Sequence, residues 1–364
     1  MPTVVSPGDW LTEGETPARR NAVASALEPP LEEVWDYNAG AGFGGASPLL
    51  LGQTVIVATR KGEVHAIERE SGRRLGLSEF GEAVEGTPVV SDGMIYVPVG
   101  WGGRAIQAYD LAQARSRWKL RTAPVEAGLL LAGDLLVAAD VEGAVNAYAK
   151  SSGDVVWTYR TRGQAGFEAS PLLADAQRVI VADDAGRVAA LDRSDGSIYW
   201  TVDLPAPVYA TPAAGDGLVY VSTTRGRLHA LDAANGETRW AFASPDTTVY
   251  LTAPALSGDQ LVVGASDGVL RSFDARTGAL RWSRSLDGAV AAPPLLTQQT
   301  IYVGTMNNRL IAVDRATGEV RWTGEVDGRI KSPMAVKDGF LVVLAEPRTV
   351  HLFKHAASEY ASTE

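Results

Sequence analysis

The feature that most constrains this chain is a repeat. The stretch HALDAANGETRWAF (229–242) places an Asp, a Gly four residues on, and a Trp four after that. The pattern returns in RSFDARTGALRWSR (271–284), IAVDRATGEVRWTG (311–324) and AALDRSDGSIYWTV (189–202). Weaker copies are NAYAKSSGDVVWTY (146–159) and QAYDLAQARSRWKL (107–120). The weakest, HAIERESGRRLGLS (65–78), has Gly76 in the Trp slot, and a further Trp35 lies in LEEVWDYN. The slots fall at 35, 76, 118, 157, 200, 240, 282 and 322, with gaps of 41, 42, 39, 43, 40, 42 and 40. A fixed period of roughly 20–50 residues is the signature of a repeat architecture. Residues that recur at that period are scaffold before they are site.

One repeat reads as four strands. In 210–242, ATPAA is short and apolar, LVYVSTT and RGRLHALD alternate, and GETRWAF follows a Gly. Alternating runs joined by Gly/Asp turns are antiparallel strands, here named A to D. No segment keeps a 3.6-residue period. The expected fold is therefore all-β: an eight-bladed β-propeller of four-stranded antiparallel blades. Strands A, B and C appear eight times, the last set being KSPMAV, GFLVVLA and TVHLFKH, and no D strand follows it. The missing strand stands at the front as LEEVWDY, so the N-terminal strand is expected to close the last blade and leave no open edge at the seam. The division expected is an extended leader across one face (1–30), the propeller (31–357) and a tail (358–364).

The spaced residues then have structural roles. Asp192, Asp232, Asp274 and Asp314 end strand C and are placed to accept N–H groups of the C–D turn. Gly153, Gly196, Gly236, Gly278 and Gly318 supply the turn's positive φ. Trp118, Trp157, Trp200, Trp240, Trp282 and Trp322 offer flat rings to pack between blades.

Composition narrows the partners. The 364 residues are 46% hydrophobic, with a net charge of −10 and no Cys. Disulfides and thiolate metal sites are excluded. An acidic chain without a Lys/Arg block is a poor nucleic-acid binder. No run of about 18 apolar residues is present, so no transmembrane segment is expected, and MPTVVSPGDWLTEG shows no signal peptide.

The blade motif, A-x-D-x-x-[TS/N]-G-x-x-x-W, resembles the repeats of pyrroloquinoline-quinone (PQQ)-like propellers, and AVDRATGEVRW (312–322) is close to ideal. The leader DWLTEGETPARRNAV is similar to the segment before the first blade in bacterial members. One branch of that family holds quinone-dependent dehydrogenases. The other holds non-catalytic scaffolds, the BamB-type outer-membrane assembly lipoproteins. The dehydrogenase branch implies a longer chain, often adjacent cysteines, and a Ca²⁺ held by carboxylate and amide oxygens; no Glu–Asn–Asp set stands apart from the blade pattern here. The resemblance therefore implies a monomeric, non-enzymatic envelope scaffold without catalytic residues, cofactor or metal. It would sit on the periplasmic side of the outer membrane and serve a membrane-assembly component or an unfolded β-barrel client. Two departures stand: the chain shows no signal peptide and no Cys for lipidation, and TRGQAGFEASP (161–171) has no Leu–Arg match to the BamB contact loop. The alternatives are a PQQ- or small-ligand-binding dehydrogenase or sensor, and a generic adaptor.

Other chemistry is weaker. His65, His229 and His351 share one position, three before the Asp slot, which points to a shared structural role. VGWGGR (99–104) lacks the strand–loop–helix context of a phosphate loop and reads as a long B–C turn. The D–A loops vary instead: Trp157 to Pro171 is 14 residues, Trp200 to Pro212 is 12, and Trp322 to Pro333 is 11. D–A and B–C loops share one face of a propeller. That face is expected to hold Phe43, Trp101, Arg104, Phe167, Tyr209 and Tyr250, and aromatics with Arg are enriched where proteins bind one another.

Overall fold

Burial along each strand follows its place in a blade. The computed structural model describes residues 9–100, 106–245, 248–250 and 252–356. In blade 5, strand A is Ala213–Gly215, B is Leu218–Thr223, C is Arg227–Asp232 and D is Thr238–Ala243. Strand B, apolar on both faces, is buried throughout because neighbouring blades cover both sides of it. Strand D, whose Thr238 and Arg239 are polar, is exposed at alternate positions on the outer rim. Eight such sheets form the molecule, seven of four strands and one of five. The closing strand Leu31–Asn38 pairs with Thr349–His355, Leu31 opposite His355 and Asn38 opposite Thr349. The fifth strand of that blade is Arg329–Ile330, a short addition beside Phe340–Glu346. His351 staples the seam: its Nδ1 lies 2.6 Å from Glu33 on the closing strand and its Nε2 lies 2.8 Å from Asp327.

The repeated residues form one device that joins each blade to the next. Trp240 lies opposite Ala230 on strand C, where a small side chain leaves room for the ring. One residue earlier, Arg239 occupies a β-bulge, and the same register shift recurs in the C–D pairs of blades 1 to 7. A bulge re-aims its side chain. Arg117, Arg239 and Arg281 accordingly turn back to Asp110, Asp232 and Asp274 at 2.6–2.8 Å. The other carboxylate oxygen of Asp232 accepts the N–H of Ala234 at 2.8 Å, and that of Asp314 accepts Thr317 N–H at 2.9 Å. Bonds from Arg281 and Thr277 hold the Asp274 carboxyl down at about 2, so it stays ionised.

The Trp ring completes the joint. Trp200 Nε1 donates to Ala233 O of the next blade at 3.0 Å, and five other Trp residues repeat this at 2.7–3.3 Å. The ring lies flat on the next C–D turn, where a Cβ on Gly236 (φ 77°) would come within 2.7 Å of it. The exceptions follow the same geometry. Blade 1 has Gly76 instead of Trp, and the turn that would receive the ring carries Ala114 (φ 52°) in the glycine slot. Trp322 has no turn to meet, because strands C and D of blade 8 come from opposite ends of the chain.

The leader is fastened to every blade. Trp10 is fully buried and exchanges two 2.9 Å backbone bonds with Leu50 of blade 1. Leu11 O accepts from Val90, Pro17 O from Leu173, Ala18 O from Ala214, Arg20 O from Leu256 and Asn21 O from Leu296, which engages blades 2, 4, 5, 6 and 7. Asp9 forms a buried ion pair with Lys337 of blade 8. Arg19, 1% exposed, sits at the hub and donates to Leu129 O of blade 3 at 2.6 Å and to Thr12 Oγ1 at 2.7 Å. Burial pulls its guanidinium below the usual range, against the opposing pull of Glu13. Arg19→Met should cost about 3 kcal/mol, because carbonyls and the Glu13 carboxylate lose a buried donor. Urea denaturation checks this; a change within about 0.5 kcal/mol would make the hub dispensable.

Candidate functional site

The D–A loops converge on the propeller axis and leave a funnel of about 370 Å³ there. Its wall begins with Ser/Thr hydroxyls just before strand A. Ser47 N–H donates to Thr87 Oγ1 at 2.9 Å, Gly128 N–H to Ser170 Oγ at 2.8 Å, and Ser170 N–H to Thr211 Oγ1 at 3.2 Å. These bonds tie successive D–A loops and fix the rim. The leader supplies Glu13, whose Oε2 accepts Ser170 Oγ at 2.6 Å and lies 3.8 Å from Arg19 Nη1.

Around the mouth the chemistry divides. The loops entering blades 3 and 4 bring Glu126 and Glu168, the loops entering blades 5 and 6 bring Tyr209 and Tyr250, and the loop entering blade 8 brings Lys331. Partial desolvation, reinforced by Glu126, raises the Glu168 carboxyl above the usual range. Asp184, beside it on a B–C loop, is pushed up to about 6, first by desolvation and then by Glu168. Tyr209 is 46% exposed and Val249 is 68% exposed, so the aromatic half of the mouth has an apolar lip. Among the described residues, no group of three or more His, Asp or Glu is arranged to hold a metal ion.

Of the residues expected on this face, Tyr209 and Tyr250 line the funnel together. Phe43 and Phe167 do not belong to an exposed surface: they are 0% and 1% exposed and pack into the core. Phe43 N–H is held by Glu346 Oε1 at 3.2 Å and Phe167 N–H by Asp140 O at 3.1 Å. Trp101 and Arg104 lie outside the described residues. Glu126 and Glu168 share one slot before strand A with Glu85, at spacings of 41 and 42, but that slot lies outside the Asp, Gly and Trp pattern by which the repeat is read, and Val249 has no such counterpart. The drifting length of the D–A loops pointed to the face that carries them. His65, His229 and His351 are all buried on strand C, but their surroundings differ. His65 Nδ1 faces Tyr37 Oη at 2.9 Å, His351 faces two carboxylates, and burial with Arg227 nearby lowers the His229 imidazole below its usual value.

A family model described as "Outer membrane protein assembly factor BamB" matches residues 20–164, 141–292 and 266–356. The BamB of Moranella endobia (strain PCIT) is 26% identical over 261 residues, 67% of this chain and 66% of that protein. The BamB of Burkholderia pseudomallei (strain K96243) is 24% identical, over 70% of this chain and 59% of that protein. The chain thus spans about two thirds or less of these relatives' lengths. The quinohemoprotein alcohol dehydrogenase ADH IIB of Pseudomonas putida is 36% identical, over 84 residues that make up 12% of it. The crystal structure of BamB from Moraxella catarrhalis superposes with a TM-score of 0.76 at 20% identity, covering 89% of this chain and 100% of that one. A quinohemoprotein alcohol dehydrogenase from Comamonas testosteroni superposes with a TM-score of 0.78 at 15% identity, over 98% of this chain and 82% of that one, a likeness of fold. With the model spread from the leader to the last strand C, this PQQ-like repeat propeller belongs to the family of the outer membrane protein assembly factor BamB.

Proposed function

We propose that the chain is a non-enzymatic scaffold on the periplasmic side of the outer membrane, that it assists the assembly of β-barrel membrane proteins, and that it meets its protein partner with the D–A loop face. One observation carries this reading. The recurring Asp, Gly and Trp residues join blades, whereas Tyr209 and the half-buried Tyr250 line the mouth at the axis, and Tyr209 and Val249, the neighbour of Tyr250, are exposed. Aromatic side chains on loops held by a rigid frame are what protein interfaces favour. The match to the BamB family, from blade 1 to blade 8, supports the assembly role.

Among the described residues, no helix is long and apolar enough to cross a membrane, so attachment to a membrane would come through a partner or another segment. The test is complementation in cells lacking the gene, read as levels of outer-membrane β-barrel proteins. Wild type should restore them. Tyr209→Ala with Tyr250→Ala should fail to do so while its Tm stays within about 2 °C of wild type, both residues being on loops. Full complementation by the double variant would move the interface elsewhere. A stoichiometric quinone retained after incubation with PQQ and Ca²⁺ would replace the scaffold reading with a dehydrogenase one.

A further inference from the structure

We infer that the funnel receives a cationic side chain of a partner polypeptide, an arginine or lysine flanked by apolar residues. This rests on the D–A face being the protein-binding face, and it adds the chemistry of what enters. The mouth is divided, with carboxylates from the loops into blades 3 and 4 and tyrosines from the loops into blades 5 and 6. Glu13 at the funnel wall already has the buried Arg19 and the Ser170 hydroxyl. Among the described residues, Glu126 and Glu168 have no ion-pair partner and Lys331 is the one cation in the lining. The Glu168 and Asp184 carboxyls are displaced upward first by desolvation and then by neighbouring carboxylates, which fits the same imbalance.

Geometry selects the form of the occupant. The cavity, about 370 Å³, is large enough for a long side chain and too small for a folded element. On its tyrosine side the exposed surface is apolar, with Tyr209 at 46% and Val249 at 68%. A guanidinium or ammonium entering it would meet carboxylates on one side and tyrosine rings on the other. Both are favourable, the first as charge-assisted hydrogen bonds and the second as cation–π contacts. The residues next to it in the partner would then rest on the Tyr209–Val249 lip, which an isolated ion could not use.

The probes are two amidated peptides, Gly-Leu-Arg-Leu-Gly and Gly-Leu-Glu-Leu-Gly, titrated calorimetrically into the full chain at low salt. The Arg peptide should bind at least about tenfold more tightly than the Glu peptide and lose affinity as salt is raised. Glu126→Gln with Glu168→Gln should weaken the Arg peptide about tenfold and flatten its salt dependence. Tyr209→Ala should weaken it and keep the salt dependence. Equal binding of the two peptides, no binding of either, or unchanged affinity in the Gln double variant would overturn the inference. Ca²⁺ that binds the same carboxylates and excludes the peptide would also overturn it, assigning the acidic half to a metal. In the complementation assay, full rescue by the Gln double variant combined with failure of Tyr209→Ala/Tyr250→Ala would leave the interface standing and remove the cation from it.

Discussion

A chain lacking residues 1–38 is expected to aggregate rather than fold as a ring. It loses the strand that covers Thr349–His355, the Glu33 partner of His351, and the leader bonds that engage the blades. The exposed edge carries TVHLFKH, an apolar, pairing-competent strand of the kind that recruits another copy. Size-exclusion chromatography and thermal melting distinguish the parts. Removing only residues 1–24 keeps the closing strand, so that variant should remain monomeric with its Tm lowered by roughly 10 °C. A monodisperse 1–38 deletion with an unchanged Tm would show that the seam does not hold the ring.

Trp200→Ala is expected to cost about 3–5 kcal/mol, because the ring is 8% exposed and its Nε1 bond to Ala233 O crosses to the next blade. Gly236→Ala should cost several kcal/mol in the wild-type background. Its methyl would meet Trp200 at 2.7 Å, and its φ is 77°. With Trp200 already Ala, there remain backbone strain of about 1 kcal/mol and a 3.0 Å approach to the Val202 Cγ2 methyl. The two changes should therefore be strongly non-additive, as contacting residues are. Denaturant melts of the four proteins measure the coupling, and additivity within about 0.5 kcal/mol would refute the joint. The pairing of Gly76 with Ala114 is already a natural instance of the double variant: where the ring is absent, a Cβ is accepted in the turn.

These residues were legible because they serve the frame. A blade contact made once must be made again in the next blade, so Asp232, Gly236 and Trp240 are written into the sequence at a period. The bulge at Arg239 was not visible, since a register shift leaves no mark on residue spacing; its sign is only that Arg recurs before Trp. The leader's course was not visible beyond its being extended, because most of its links are backbone hydrogen bonds that any side chain permits. The funnel was least legible. Its residues come from D–A loops that differ from blade to blade, and an aromatic in such a loop has two destinations. Tyr209 points to solvent and Phe167 turns into the core, and the surrounding residues EASP and APVYATP do not distinguish them.

The seam has a consequence for how the molecule is made. Leu31 pairs with His355 and Asn38 with Thr349, so the first strand of the propeller waits for the last before it has a neighbour. While the ribosome is still working, blades 1 to 7 can each complete their own four strands, but the closing strand has no partner until Thr349–His355 is made. Contacts between such distant parts of a chain form late and slowly. The nascent protein therefore passes through a stage as an open arc with an unpaired strand at its beginning, the form of this chain most in need of protection from other unfolded polypeptides.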